Sequence, residues 1–179
     1  MLQSPRPSKP TPAAPRRQRG VYALEWAIVF PMFFLLLYGI ICYGLTFLVR
    51  ESMQYAVEEG ARAALRYPVG QSSSTWNDRK MQTLKVVKDS LDWLPPAIKP
   101  TDTTIKFTVC RISDAACNQD SALNATLSCN VNDPCMVLVS YAINDYQSNA
   151  IAPAIPGLGL VLPSTLQANA SILVNRRLL

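Results

Sequence analysis

Histidine is missing from all 179 residues. Its absence removes the commonest general base and the usual nitrogen ligand of zinc. Nor is there a phosphate-binding glycine loop, a clustered set of metal ligands or a nucleophile beside a base. The scattered Asp and Ser residues read as solvated loops, so we expect no enzyme, no cofactor and no metal. Charge is also scarce, at 16% of residues, and the first 20 contain no acid at all. That stretch carries Arg6, Lys9, Arg16, Arg17 and Arg19 among five prolines, with little that could pack. The chain's excess of +5 therefore lies entirely in this leader, and the remainder balances 12 basic against 12 acidic residues. Global basicity thus gives no nucleic-acid face, and no nucleic-acid partner is expected.

What the sequence has in abundance is a long apolar run. From Trp26 to Val49, 24 consecutive residues carry no charge, and the run extends back to Val21 with Glu25 as its one interruption. As a helix this spans about 36 Å, enough to cross a hydrocarbon core of about 30 Å. Basic residues before the run read as a positive-inside signal. The expected layout is a cytoplasmic leader over 1–20, a transmembrane helix over 21–49 and an exported domain over 50–179. Contact between the basic leader and anionic membrane lipid follows from the same charge. An ordinary cleavable signal fits less well, because the apolar segment exceeds about 7–15 residues and no small-residue cleavage site precedes Arg50.

Beyond the membrane run the helix is expected to continue to about Tyr67, where Pro68 stops it. Met53, Val57, Gly60, Ala64 and Tyr67 form one face, with Ala56 and Ala61 beside them, and Glu58 and Arg62 form an exposed pair four apart. A connector over 69–75 leads to a second amphipathic helix from about Asn77 to Leu94, with a stripe of Met81, Leu84, Val87, Leu91 and Leu94. The period then switches to two. Ile105, Phe107 and Val109 alternate with Lys106, Thr108 and Cys110 in a half-buried strand. Met136–Ile143 reads as a more buried strand, and Leu166–Val174 as a third. Prolines in the apolar loop 151–163 forbid a central strand there. The fold class is α+β: a long N-terminal transmembrane helix runs into an exported domain, where a second helix packs on a small antiparallel three-stranded sheet.

Cys110, Cys117, Cys129 and Cys135 form an even set suited to two disulfides in an oxidising compartment. Zinc is the competing reading, disfavoured by the wide spacings. A hairpin of the first two strands would bring Cys110 to Cys135, favouring nested bridges with Cys117 to Cys129, and sequential pairing is nearly as good. Cys42, inside the membrane run, reads as a small buried hydrophobe. Pro31 removes the hydrogen bond to the carbonyl of Ala27; it either kinks the helix for departure from the bilayer or is one of the prolines membrane helices tolerate. The sequons at Asn124 and Asn169 carry little weight.

Glu25 is the anomaly. A carboxylate in a membrane helix costs about 2.5–3.5 kcal/mol near the centre and less near an end. Alone, it could simply sit at headgroup level. With Gly20 five residues before it, a basic leader and a long apolar helix, it resembles the type IV prepilin signal. The stretch RGVYALEWAIVFPMFFLLLYGIICYG, followed by VRESMQYAVEEGARAALRY, resembles the TadE-like pilus-assembly family of tight-adherence (Flp-type) systems. The positions that carry the resemblance are Gly20, Glu25 with Trp26, Pro31, and Glu59 to Arg62; the ending LQANASILVNRR is similar to the family's last strand. Trp26, where the family usually has Phe or Tyr, and the four-cysteine insert are departures.

The resemblance implies a minor pilin or pseudopilin of the bacterial inner membrane that takes part in cell adhesion. A prepilin peptidase would cut between Gly20 and Val21, and Glu25 and Pro31 would serve assembly. The partners implied are that peptidase, other pilin-like subunits and the inner-membrane assembly platform. The alternative is a permanently anchored envelope protein whose exported domain is a binding module, with Gly157 to Leu162 as its surface.

Overall fold

The computed structural model describes residues 19–66, 76–115, 117–124, 126–130, 132–151 and 162–174. The leader up to residue 18, the expected helix stop at Tyr67 and Pro68, the connector 69–75 and most of the apolar loop, including Gly157, lie outside the described residues. The elements, in order, are α1 (Arg19–Leu65), α2 (Trp76–Ser90), a short 3-10 helix (Pro96–Ile98), β1 (Ile105–Arg111), β2 (Cys135–Ile143), α3 (Tyr146–Asn149) and β3 (Leu166–Val174). The strands form one antiparallel sheet in the order β1-β2-β3. The chain divides into two units, one ending at Ile40 and the other beginning at Ile41.

In the second unit the C-terminal part of α1 is one-sided. Val49, Met53, Ala56, Val57, Ala61 and Ala64 are fully buried, at the i, i+3, i+4 spacing of a packed helical face. The expected face is thus the buried one, and it extends further back than expected, through Thr46 to Cys42. Gly60 is where α2 comes closest. A Cβ placed there would meet Val87 Cγ2 at 2.5 Å and Thr83 Cγ2 at 3.2 Å. The Thr83 hydroxyl donates to the Gly60 carbonyl (3.1 Å), and the Arg79 guanidinium donates to the Ala64 carbonyl (2.6 Å). Arg79 is only 1% exposed and lies 5.5 Å from the Trp76 ring centroid. It satisfies a carbonyl in the last turn of α1, which has no partner within its own helix.

Three expectations for the helices fail. Met81 is exposed, because it lies about 120° around α2 from Val87, outside the arc that Trp76, Thr83, Leu84 and Val87 occupy. The polar Thr83 and Arg79 take inward positions instead, held by the carbonyls of α1. On α1, Arg62 bridges Glu59 (2.9 Å), three residues away, while Glu58 accepts from Gln54 (2.9 Å). α2 also stops at Ser90 rather than Leu94. The Leu91 amide is shared between the Val87 and Lys88 carbonyls, both at 3.2 Å, and a turn then carries Leu91 and Leu94 into the core.

The sheet alternates as expected on its helix-facing side: Ile105, Phe107 and Val109 of β1 and Val137, Val139, Tyr141 and Ile143 of β2 are buried. Burial pushes Tyr141 up to about 12, and its hydroxyl donates to the Ile98 carbonyl. The opposite face departs from the half-buried expectation. Thr108, Cys110 and Ser140 are buried too, because the segment between β1 and β2 folds over them. Thr108 donates to the Ser121 carbonyl (2.7 Å), Lys106 pairs with Asp120, and Gln167 of β3 donates to Gln119 (2.9 Å). The same segment then reaches the helix-facing side, where Trp76 Nε1 donates to the Leu127 carbonyl (2.8 Å).

The register decides the disulfides. Cys110 stands opposite Met136, and Cys135 opposite Arg111. Residues directly opposite share a face and neighbours along a strand do not, so Cys110 and Cys135 point to opposite sides of the sheet. The favoured nested pairing is therefore wrong. Cys110 joins Cys117 on the outer face and Cys129 joins Cys135 on the helix side, which also leaves no thiolate among the four for zinc.

Overpacking at Gly60 should cost about 1–3 kcal/mol against about 1 kcal/mol gained in helix propensity. We expect Gly60→Ala to lower the unfolding midpoint of the detergent-solubilised chain, and Gly60→Leu to lower it further. Val87→Ala should relieve the Gly60→Ala penalty, giving a coupling of about 1 kcal/mol in a double-mutant cycle; simple additivity would contradict the contact. Cleavage after Arg and before Asp, without reductant, should leave the fragment Asp114–Gln119, which carries Cys117, joined to the one ending at Arg111. A Cys110–Cys135 linked peptide would contradict the register argument.

Candidate functional site on the N-terminal helix

α1 begins at Arg19, slightly earlier than the expected start at Val21, and continues through Pro31 without a break. Its apolar composition and regular backbone make it long and apolar enough to cross a membrane. In the first unit every described side chain from Tyr22 to Leu37 is exposed, including Leu24, Ile28, Phe30 and Phe33. Phe30 and Phe34 touch, with ring centroids 4.9 Å apart. An apolar surface running all round a helix is stable in lipid or among other helices, not in water.

Glu25 is exposed on this surface, next to Trp26, which is 67% exposed. Gly20 lies in the first turn of α1, and among the described residues nothing lies within 4 Å of where its Cβ would be. The contrast with Gly60 is informative. Gly60 is explained by α2 pressed against it; Gly20 has no such internal reason among the described residues, and neither do Gly39 and Gly44, although Ala would favour the helix by about 1 kcal/mol at each. Pro31 is likewise exposed. The candidate processing and assembly residues Gly20, Glu25 and Pro31 thus share one exposed helix. The structure describes the backbone of Val21 but not its side chain.

At the other end of α1 the Glu59–Arg62 segment serves two ends. Gly60 and Ala61 are packing residues, buried against the rest of the domain. Glu59 and Arg62 form their ion pair at the surface, where such a pair contributes little to stability. Gln54, Glu58 and Arg62 line an open groove with Asn169 to Ile172 of β3, and Gln54 Nε2 donates to the Asn169 carbonyl (3.1 Å).

Residues 20–62 match the family model described as TadE-like protein. The TadE-like match starts at Gly20, ends at Arg62 and lies wholly within α1. It takes in Glu25, Trp26, Pro31 and the Glu59–Arg62 segment, the positions on which the resemblance rested. The sheet, α2 and the cysteine insert lie outside it. No curated protein and no solved structure matches the chain.

The residue that sequence reading missed is Arg79. An arginine on an amphipathic helix reads as solvated, and only its place opposite the carbonyl end of α1 reveals it as a cap. Among the described residues no group of three or more His, Cys, Asp or Glu is placed to hold a metal ion.

Proposed function

We propose that this chain is a TadE-like minor pilin or pseudopilin, made as a precursor and matured by a prepilin peptidase that cuts after Gly20. On this reading it takes part, without catalysing a reaction, in the assembly of a tight-adherence pilus. It is anchored in the inner membrane through α1, with its leader in the cytoplasm and its α+β domain outside. The observation that carries the reading is the family match beginning at Gly20 and taking in Glu25.

Both residues have a physical rationale here. A peptidase draws an extended backbone into its site, and a side chain before the cut would obstruct it; glycine also loosens the first turn of α1. After the cut the Val21 amine carries a positive charge. A carboxylate and an ammonium among apolar helices are each costly alone, and strongly attractive together. Glu25 of one subunit would meet the Val21 amine of a neighbour, setting the depth at which helices dock. Assembly partners then recognise the exposed apolar surface of α1, which leaves the sheet free of that task.

Mass spectrometry of protein made in cells with active prepilin peptidase should find a mature N-terminus at Val21. Recovery of the intact leader in such cells would overturn the reading. Gly20→Ile should abolish cleavage. Glu25→Ala should leave most cleavage in place but greatly reduce incorporation or piliation, and normal piliation with this variant would remove the role given to the carboxylate.

A further inference from the structure

The second unit begins at Ile41, eight residues before the uncharged run ends. Cys42, Thr46 and Val49 are buried there, while Tyr43, Phe47 and Leu48 are about half or more exposed on the same turns. The folded domain therefore grips residues that composition assigns to the membrane. About 20 helical residues cross the hydrocarbon core. Counted from Trp26, they end at about Leu45 and Thr46. Thr46 is where the domain touches: the Tyr146 hydroxyl of α3 donates to Thr46 Oγ1 at 3.5 Å.

Two further contacts identify which part of the domain lies at this level. α3 packs against the 3-10 helix Pro96–Ile98. α2 runs antiparallel to the C-terminal part of α1, since Thr83 bonds Gly60 and Arg79 bonds Ala64. Advancing along α2 therefore means moving back along α1. Seven residues on from Thr83, α2 ends at Ser90, level with about Met53 of α1, and the turn that follows leads through Trp93 to the 3-10 helix. Trp93 is 50% exposed although it neighbours the core residue Leu94, and Pro96 and Ala97 beside it are exposed as well. Lys99 and Asp92 pair at 2.8 Å next to this cluster.

We infer that this end of the domain, formed by Trp93, Pro96, Ala97 and α3, is a lipid-contacting surface that seats the domain in the headgroup layer of the outer leaflet. Trp93 is its anchor. An indole places an apolar body against acyl chains and its N–H among headgroups, which is why tryptophan concentrates at that depth. The occupant is lipid rather than a soluble partner because this unit itself contains the end of the uncharged run, with Tyr43, Phe47 and Leu48 exposed on it. Seating fixes the height of the domain above the membrane, and so the height at which the outer surface of the domain meets its neighbours. The inference rests on the membrane-anchored part of the function proposed above and is independent of leader cleavage.

The test uses the full chain with Cys42→Ala and both disulfides intact, reconstituted in vesicles of phosphatidylethanolamine and phosphatidylglycerol. A nitroxide is attached in turn to Ala97→Cys, Leu36→Cys and Arg66→Cys, with Trp93 retained, and its collisions with oxygen and with a water-soluble nickel chelate are compared. Expected is an oxygen-to-nickel ratio at position 97 several-fold above that at 66 and below that at 36. A ratio at 97 equal to that at 66, with 36 reading as lipid, overturns the seating and leaves the membrane span standing. An aqueous reading at all three positions overturns both. A label at 97 shielded from both reagents indicates a protein neighbour at that surface, and overturns lipid as its occupant.

Discussion

One continuous helix serves two environments, and this constraint organises the molecule. Over its first unit α1 exposes apolar side chains in every direction, which only lipid or other helices can cover. Over the second it buries one face, from Cys42 to Ala64, and turns Glu51, Tyr55, Glu58 and Arg62 outward. The change has to be made within a few turns, without a break in the hydrogen-bond ladder. It is made by small residues. Alanine at 56, 61 and 64 and glycine at 60 bring α1 close to its partners, so that the core is built on backbone proximity as much as on large side chains.

That proximity creates an obligation which α2 meets. A helix end buried against another element leaves carbonyls without donors, and a carbonyl left so is costly. Arg79 supplies a donor to the Ala64 carbonyl from the buried face of α2, and Thr83 adds a second donor to the Gly60 carbonyl one turn earlier. These contacts set the antiparallel course of α2 along the second unit's part of α1.

How much of this was legible in the sequence depends on whether the signal was local. The strands could be read because alternation is a property of neighbouring residues, and Leu166–Val174 keeps it to the end. The buried face of α1 was legible for the same reason. Met81 was misread because its apolar character outweighed a helical phase set by polar residues, and Arg79 was missed because its cap partner lies on another element. The outer face of β1 looked solvated because Lys106 and Thr108 are polar. Nothing local announces that residues 119–121 will lie across them.

The sequence by itself determined the apolar helix, the basic residues before it, the glycine and glutamate spaced five apart, the three strands and an even set of four cysteines suited to two disulfides. Each of these is fixed by composition or by short-range periodicity. Tertiary structure alone decided the disulfide partners, because the face on which a cysteine lies depends on the pairing register of two strands, and a shift of one residue reverses it. It also decided that the domain grips the end of the apolar run. That depends on how α2, the 3-10 helix and α3 pack around α1, an arrangement made by contacts between residues far apart in the chain.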